Sequence, residues 1–181
     1  MKVLFLDVDG VLNSTRSVIA SAYKIKQYGI DNPDDPYFMK HTRCTIDPIS
    51  VDLVNRVCKL GDIKIVISST HRKHIPDGPN KLTEMKEYFK YLGLDSERIV
   101  GWTEVFWGNS TEHFGHQRGF EIQMWIDAHP EITHYVILDD DSDMLDSQKG
   151  WLVRTNNEIG VSWKNFADMK DIFDLKDPGI V

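Results

Sequence analysis

The sequence predicts a doubly wound, Rossmann-like parallel α/β sheet of about five strands. Three observations carry this. Short apolar runs rich in β-branched residues recur along the chain, and they are apolar on both faces, as buried parallel strands are. Stretches with helical hydrophobic spacing alternate with them. Several runs end in acidic or hydroxyl residues, at the strand ends where open α/β sheets bind ligands.

The elements follow in order. Residues 3–8 form the first run and meet Asp7-Val8-Asp9-Gly10. Asp47 and Pro48 read as N-cap and first helical residue, and Leu53, Val54, Val57 and Leu60 recur at helical spacing before Gly61 as the stop. Residues 64–68 are the second strand and run into Ser68-Ser69-Thr70. Leu82, Met85, Phe89 and Leu92 mark a helix ended by Gly93. Residues 98–102 are the third strand. Residues 120–128 carry Ile122, Trp125 and Ile126 on one helical face, and Pro130 follows. Residues 135–138 are the fourth strand and end in Asp139-Asp140-Asp141. Residues 151–154 are the fifth. Ser162 caps a last helix carrying Phe166, Met169 and Phe173.

Two segments break the alternation. Residues 13–46 have weak periodicity and contain Asp31-Asn32-Pro33-Asp34-Asp35-Pro36. A connection this long is usually functional, and it reads as a flap or small lid after strand one. Residues 103–117 form a second long loop. The expected organisation is one domain, 1–181, with the 13–46 insertion.

The chain has 181 residues, with 41% hydrophobic and 27% charged, ordinary values for a globular protein. Lys and Arg number 21 and Asp and Glu 28, a net charge of −7. That excludes a strongly basic nucleic-acid coat, although it leaves room for a local basic groove. No apolar run exceeds four residues, so no membrane span is expected. The run after Lys2 is too short for a signal-peptide core, and a cytoplasmic location is expected. Cys44 and Cys58 make neither a disulfide framework nor a CxxC site, and they read as ordinary thiols.

Strand one delivers Asp7, Asp9 and Gly10 to its carboxyl end, strand two Ser68, Ser69 and Thr70, and strand four Asp139, Asp140, Asp141 and Asp143. Clustered carboxylates repel unless a cation lies among them. A hard divalent cation such as Mg²⁺ takes oxygen ligands of this kind together with a substrate phosphate. Acids at one strand end read as a solvated turn; acids at two, with a hydroxyl cluster on a third, read as a site.

Asp7-Val8-Asp9-Gly10-Val11-Leu12 after an apolar strand resembles the first motif of haloacid dehalogenase (HAD) superfamily phosphatases. Ser68 matches their second motif and Ile137-Leu138-Asp139-Asp140 their fourth. Arg118 stands in the place of the third-motif basic residue, which in the superfamily is more often Lys. The motifs occur in the right order. More narrowly, 68–72, 118–125 and 135–144 are similar to the HAD domain of modular Swiss Army knife RNA-repair proteins, and distantly to the 3′-phosphatase domain of polynucleotide kinase–phosphatases. In that group a tryptophan commonly stands where His71 stands here.

The resemblance implies a Mg²⁺-dependent phosphomonoesterase working through an aspartyl-phosphate. It makes Asp7 the nucleophile and Asp9 the general acid and base. It places Mg²⁺ on the Asp7 carboxylate, the Asp9 backbone carbonyl and Asp140, with Asp139 as a further metal residue and Asp139 and Asp143 as outer supports. Ser68 would donate to a phosphoryl oxygen, and Arg118 would neutralise charge on the phosphoryl group and Asp7. Gly10 turns the chain at the substrate. Ser69 is assigned to substrate binding or a helix cap. Arg72 is assigned to a bidentate grip on phosphate or to a helix surface. The implied substrate is a nucleotide or an RNA or DNA phosphate end. The alternatives are a small phosphorylated metabolite and a non-catalytic phosphate-binding module. A receiver domain also clusters Asp around Mg²⁺, but its phosphate sits on an Asp ending strand three; here the second acidic cluster ends strand four.

His71 and His74 are three apart, as are His113 and His116, but no cysteine is spaced to complete a zinc site. His71 and His116 are expected to face the substrate channel or solvent. Trp102, Phe106 and Trp107 either stack on a base or pack under the domain.

Overall fold

The computed structural model describes residues 1–28, 45–105 and 117–176. Five parallel strands form one sheet: β1 (Lys2–Leu6), β2 (Lys64–Ile67), β3 (Ile99–Trp102), β4 (His134–Asp139) and β5 (Leu152–Arg154). Their order is β3-β2-β1-β4-β5. The helices are α1 (Thr15–Tyr28), α2 (Pro48–Gly61), α3 (Lys81–Tyr91), α4 (Gln117–Ala128) and α5 (Trp163–Ile172). Short 3₁₀ turns cover Thr70–His74, Ser96–Arg98 and Asp146–Trp151. Among the described residues no helix is long and apolar enough to cross a membrane.

The fully apolar strands are explained by a core on each face of the sheet. Leu4 and Leu6 of β1 point into the larger one, with Val54 and Val57 of α2, Met85 and Phe89 of α3, and Phe166 and Met169 of α5. Val3 and Phe5 point into the smaller one, with Ile122 of α4, Val66, Ile137 and Met144. Successive strand residues face opposite sides, so a strand buried on both must be apolar throughout. Cys58 is buried in the larger core as a free thiol, and burial pushes its pKa up to about 12.

The caps follow the expected chemistry. Asp47 accepts the Ile49 amide through its side chain, and Pro48 opens α2. Ser162 accepts the Asn165 amide and opens α5. Three details differ from expectation. The left-handed residue ending α2 is Asp62 (φ 47°), not Gly61, because the chain folds back there so that the Ile63 amide reaches the Cys58 carbonyl. Leu60 is 42% exposed, at the solvent edge of the α2 stripe. Trp151 closes the turn before β5 and is not part of the strand.

The segment that showed weak periodicity begins with a helix. Ser14 and Ser17 cap α1 reciprocally: the Ser14 amide donates to Ser17 Oγ and the Ser17 amide to Ser14 Oγ. Capping of this kind satisfies the free amides at the N-terminus and fixes where the helix starts. Asn13 and Ile46 form an antiparallel bridge. Residues 29–44, and with them Cys44, lie outside the described residues, as do 106–116 with Phe106, Trp107, His113 and His116.

Candidate active site

Register sets the site. Leu6 pairs with Ile67 on one side and with Leu138 on the other. The next residue of each strand is Asp7, Ser68 and Asp139, so these stand at one level at the carboxyl edge. Backbone bonds extend the row outward, from the Thr103 amide to the Ile67 carbonyl and from the Thr155 amide to the Asp139 carbonyl. The chain leaves the ladder after Asp7, whose amide still donates to Leu138. The Val8 carbonyl then accepts amides from Val11, Leu12 and Asn13.

Gly10 sits in that turn with φ +71°. A Cβ there would lie 2.3 Å from Asp140 Cγ. The glycine therefore serves the backbone conformation and the close approach of Asp140 at once. Its carbonyl accepts from Thr155 Oγ1 at 2.8 Å and its amide donates to Asn13 Oδ1 at 2.9 Å.

Asp7, Asp139 and Asp140 each bring an oxygen to within 4.8 Å of the others. Burial pushes the Asp7 carboxyl up to about 6, against the pull of the Arg118 guanidinium. Burial, then the Asp7 charge, pushes Asp139 up to about 7. Asp140 is raised too, again chiefly by burial. Asp139 Oδ1 accepts the Asp141 amide, whereas the buried Oδ2 accepts no hydrogen bond. Three hard carboxylate oxygen donors this close together fit a Mg²⁺ ion.

Arg118 is the cation that Asp7 and Asp139 share. Its Nη2 stands 3.6 Å from Asp7 Oδ1 and its Nε 3.5 Å from Asp139 Oδ2. Its Nη1 donates to the Ser68 carbonyl. Asp143 holds the start of α4 in place: its carboxylate accepts the Arg118 amide and its carbonyl the Gly119 amide. A Cβ on Gly119 would lie 2.4 Å from the Leu145 amide nitrogen, so only glycine lets the helix start so close to this loop.

The remaining predicted residues divide. Ser68 is buried, and its Oγ accepts from Thr103 Oγ1 at 3.4 Å. Ser69 caps the 3₁₀ turn by accepting the His71 amide, and its side chain also hydrogen-bonds Asp7. The Asp9 carboxylate stands apart from the trio and is 60% exposed. His71, Asn13 and burial act on it, and the His71 hydrogen bond is the largest influence, lowering its pKa.

Arg72 is neither a surface residue nor free to grip a phosphate in two places. It is buried, with Nη1 donating to the Ser69 carbonyl and Nη2 to Glu121, both at 2.6 Å. His71 is buried rather than facing solvent, and only its Nε2 reaches outward, to Asp9. Trp102 has Lys81 Nζ 4.7 Å over its ring and donates its indole N–H to Glu104. Thr103 and Thr155 were missed, although each directly follows a strand, where the site was expected. Glu121 had no signal beyond its place one helical turn after Arg118.

A strand order of 3-2-1-4-5 with polar groups at the carboxyl edge is the Rossmann-like arrangement, and the chain is a domain of the HAD superfamily, a class of hydrolases. Within the superfamily the chain belongs to a particular family, the HAD domain in Swiss Army Knife RNA repair proteins, whose model matches residues 3–166. No curated protein and no solved structure matches the chain.

Proposed function

We propose that the protein is a Mg²⁺-dependent phosphomonoesterase that works through an aspartyl-phosphate on Asp7, with a nucleotide or nucleic-acid phosphate end as substrate. One observation carries the chemistry: the Asp7–Asp139–Asp140 trio, with the Arg118 guanidinium beside Asp7 and Asp139. The substrate class is supported by the RNA-repair context of the family. An open cleft of about 560 Å³, lined by Lys73, Lys81, Asp77, Trp102, Thr103 and Glu104, lies beside Ser68, which Thr103 touches.

An Asp7 oxygen attacks phosphorus as the bond to the leaving oxygen breaks, and Asp9 gives that oxygen a proton. Asp9 then takes a proton from water as the water attacks, and the Asp7–phosphorus bond breaks to release phosphate. Arg118 offsets the negative charge brought against Asp7. With Thr103 donating to Ser68 Oγ, the Ser68 proton is left for a phosphoryl oxygen. Asp7, Asp140 and the Asp9 carbonyl would hold Mg²⁺, with Asp139 and Asp143 in support. The ion supplies Lewis-acid neutralisation of the phosphoryl oxygens.

The test is phosphate release from an aryl phosphate and from an oligonucleotide bearing a 3′-phosphate, each with Mg²⁺, with EDTA, and with Asp7→Asn. Release that requires Mg²⁺ and vanishes in Asp7→Asn supports the enzyme. Preference for the oligonucleotide supports the substrate class; activity on the aryl phosphate alone reopens it. No release from either shifts the reading to a small phosphorylated metabolite as substrate or to a phosphate-binding role, and the presence of Asp7, Asp9, Ser68 and Asp140 counts against the latter.

A further inference from the structure

We propose that His71, braced by Tyr88, is a positioning residue that holds the Asp9 carboxylate in the one orientation useful for proton transfer. The inference rests on the reading of Asp9 as general acid and base.

Asp9 is the most solvated of the groups assigned to the reaction, with its side chain 60% exposed. An exposed aspartate samples several rotamers unless something fixes it. Two donors do. Asn13 Nδ2 lies 2.8 Å from Asp9 Oδ1, and His71 Nε2 lies 3.2 Å from the same oxygen. Asn13 belongs to the same turn and moves with it. His71 belongs to a different element, the 3₁₀ turn after β2, and is buried. It ties the turn after β1 to the body of the domain.

The imidazole itself has a fixed seat. Its Nδ1 lies 2.7 Å from the hydroxyl of Tyr88, which is buried on α3. The His74 ring meets it edge-on with centroids 5.7 Å apart. If the Tyr88 O–H donates to Nδ1, the proton of the neutral ring is on Nε2, and that N–H donates to Asp9. The chain Tyr88 to His71 to Asp9 therefore aligns the three groups, with Tyr88 and His71 keeping their charge while Asp9 gives and takes its proton. Both donors meet Oδ1, which leaves Oδ2 for the leaving group and then for water.

The experiment compares kcat/KM for an alkyl phosphate and for dinitrophenyl phosphate. This ratio covers only the steps through leaving-group departure. An alkoxide needs the proton from Asp9, whereas a dinitrophenolate leaves without it. Asp9→Asn is expected to lose about 100-fold or more on the alkyl phosphate and little on the aryl ester. His71→Leu is expected to lose about 10-fold on the alkyl phosphate only, with Tyr88→Phe in the same direction. His71→Gln, whose amide replaces the Nε2 donor, is expected to recover most of the loss. Equal losses on both substrates in His71→Leu and Tyr88→Phe, or no loss on either, would overturn the positioning role while leaving Asp9 in place. An Asp9→Asn enzyme without the selective loss would overturn the acid–base reading and this inference with it.

Discussion

Arg72 and Glu121 form an ion pair at 2.6 Å with each side chain only 4% exposed. Arg72 comes from the 3₁₀ turn after β2 and Glu121 from α4, so the pair fastens two elements that hold opposite sides of the site. The same Glu121 oxygen stands 4.0 Å from Arg118 Nη1. Glu121 thus lies between the two guanidiniums, and only Arg118 goes on to reach the carboxylates.

Removing one partner of such a pair leaves a buried charge alone. Glu121→Ala is expected to cost about 3–5 kcal/mol in denaturant unfolding. The double variant Arg72→Met with Glu121→Leu is expected to recover most of it, because two apolar side chains leave no orphan charge. A loss below about 1 kcal/mol in the single variant would contradict the burial of the pair.

Gly10→Ala places a methyl group where Asp140 stands and forces a side chain into a left-handed backbone. It is expected to destabilise the fold by roughly 1–3 kcal/mol and to remove the thermal shift given by Mg²⁺. Wild-type Mg²⁺ response in this variant would show that the turn relaxes without moving Asp140.

In the metal-free protein the Asp7–Asp139 pair is expected to cost more stability as pH rises. Asp7 and Asp139 titrate at about 6 and about 7 in the fold, above the ordinary 3.8. Between the unfolded and folded values the native state binds more protons than the unfolded chain, so stability falls across that window and is lowest above it. Thermal unfolding in EDTA should therefore show a contribution from this pair that favours pH 5 over pH 8. Asp139→Asn should flatten that dependence and raise the pH 8 midpoint by roughly 5 °C.

Mg²⁺ is expected to reverse the penalty. At a hundredfold excess over its Kd it should add about 2.7 kcal/mol to unfolding. The effect should be larger at pH 8 than at pH 5.5, since ligands must be deprotonated. Asp140→Asn should abolish most of it in a calorimetric titration. An undiminished titration would remove Asp140 from the metal site.

Much of this was legible along the chain because it is local. Strand runs, the Asp47-Pro48 and Ser162 caps and the acids after β1 and β4 depend on near neighbours, and periodicity reports them. The α1 helix was missed, since the whole of 13–46 reads as one irregular segment and the Ser14 and Ser17 caps that start the helix went unrecognised. Arg72 was misread for a different reason. An arginine after a strand looks the same in sequence whether it meets a phosphate, water or a buried Glu121.

The sequence by itself determined the elements, their order and the kinds of group at each strand end, since these follow from short-range spacing. Only the tertiary structure decided who meets whom. Placing β1 between β2 and β4 sets Asp7 level with Ser68 and Asp139. Packing α3 and α4 against their strands brings Tyr88 to His71, Glu121 to Arg72 and Arg118 to the trio. Those contacts join residues far apart in the chain, and burial removes the water that would otherwise satisfy them. Their partners are therefore chosen by the fold and leave no periodic trace in the sequence.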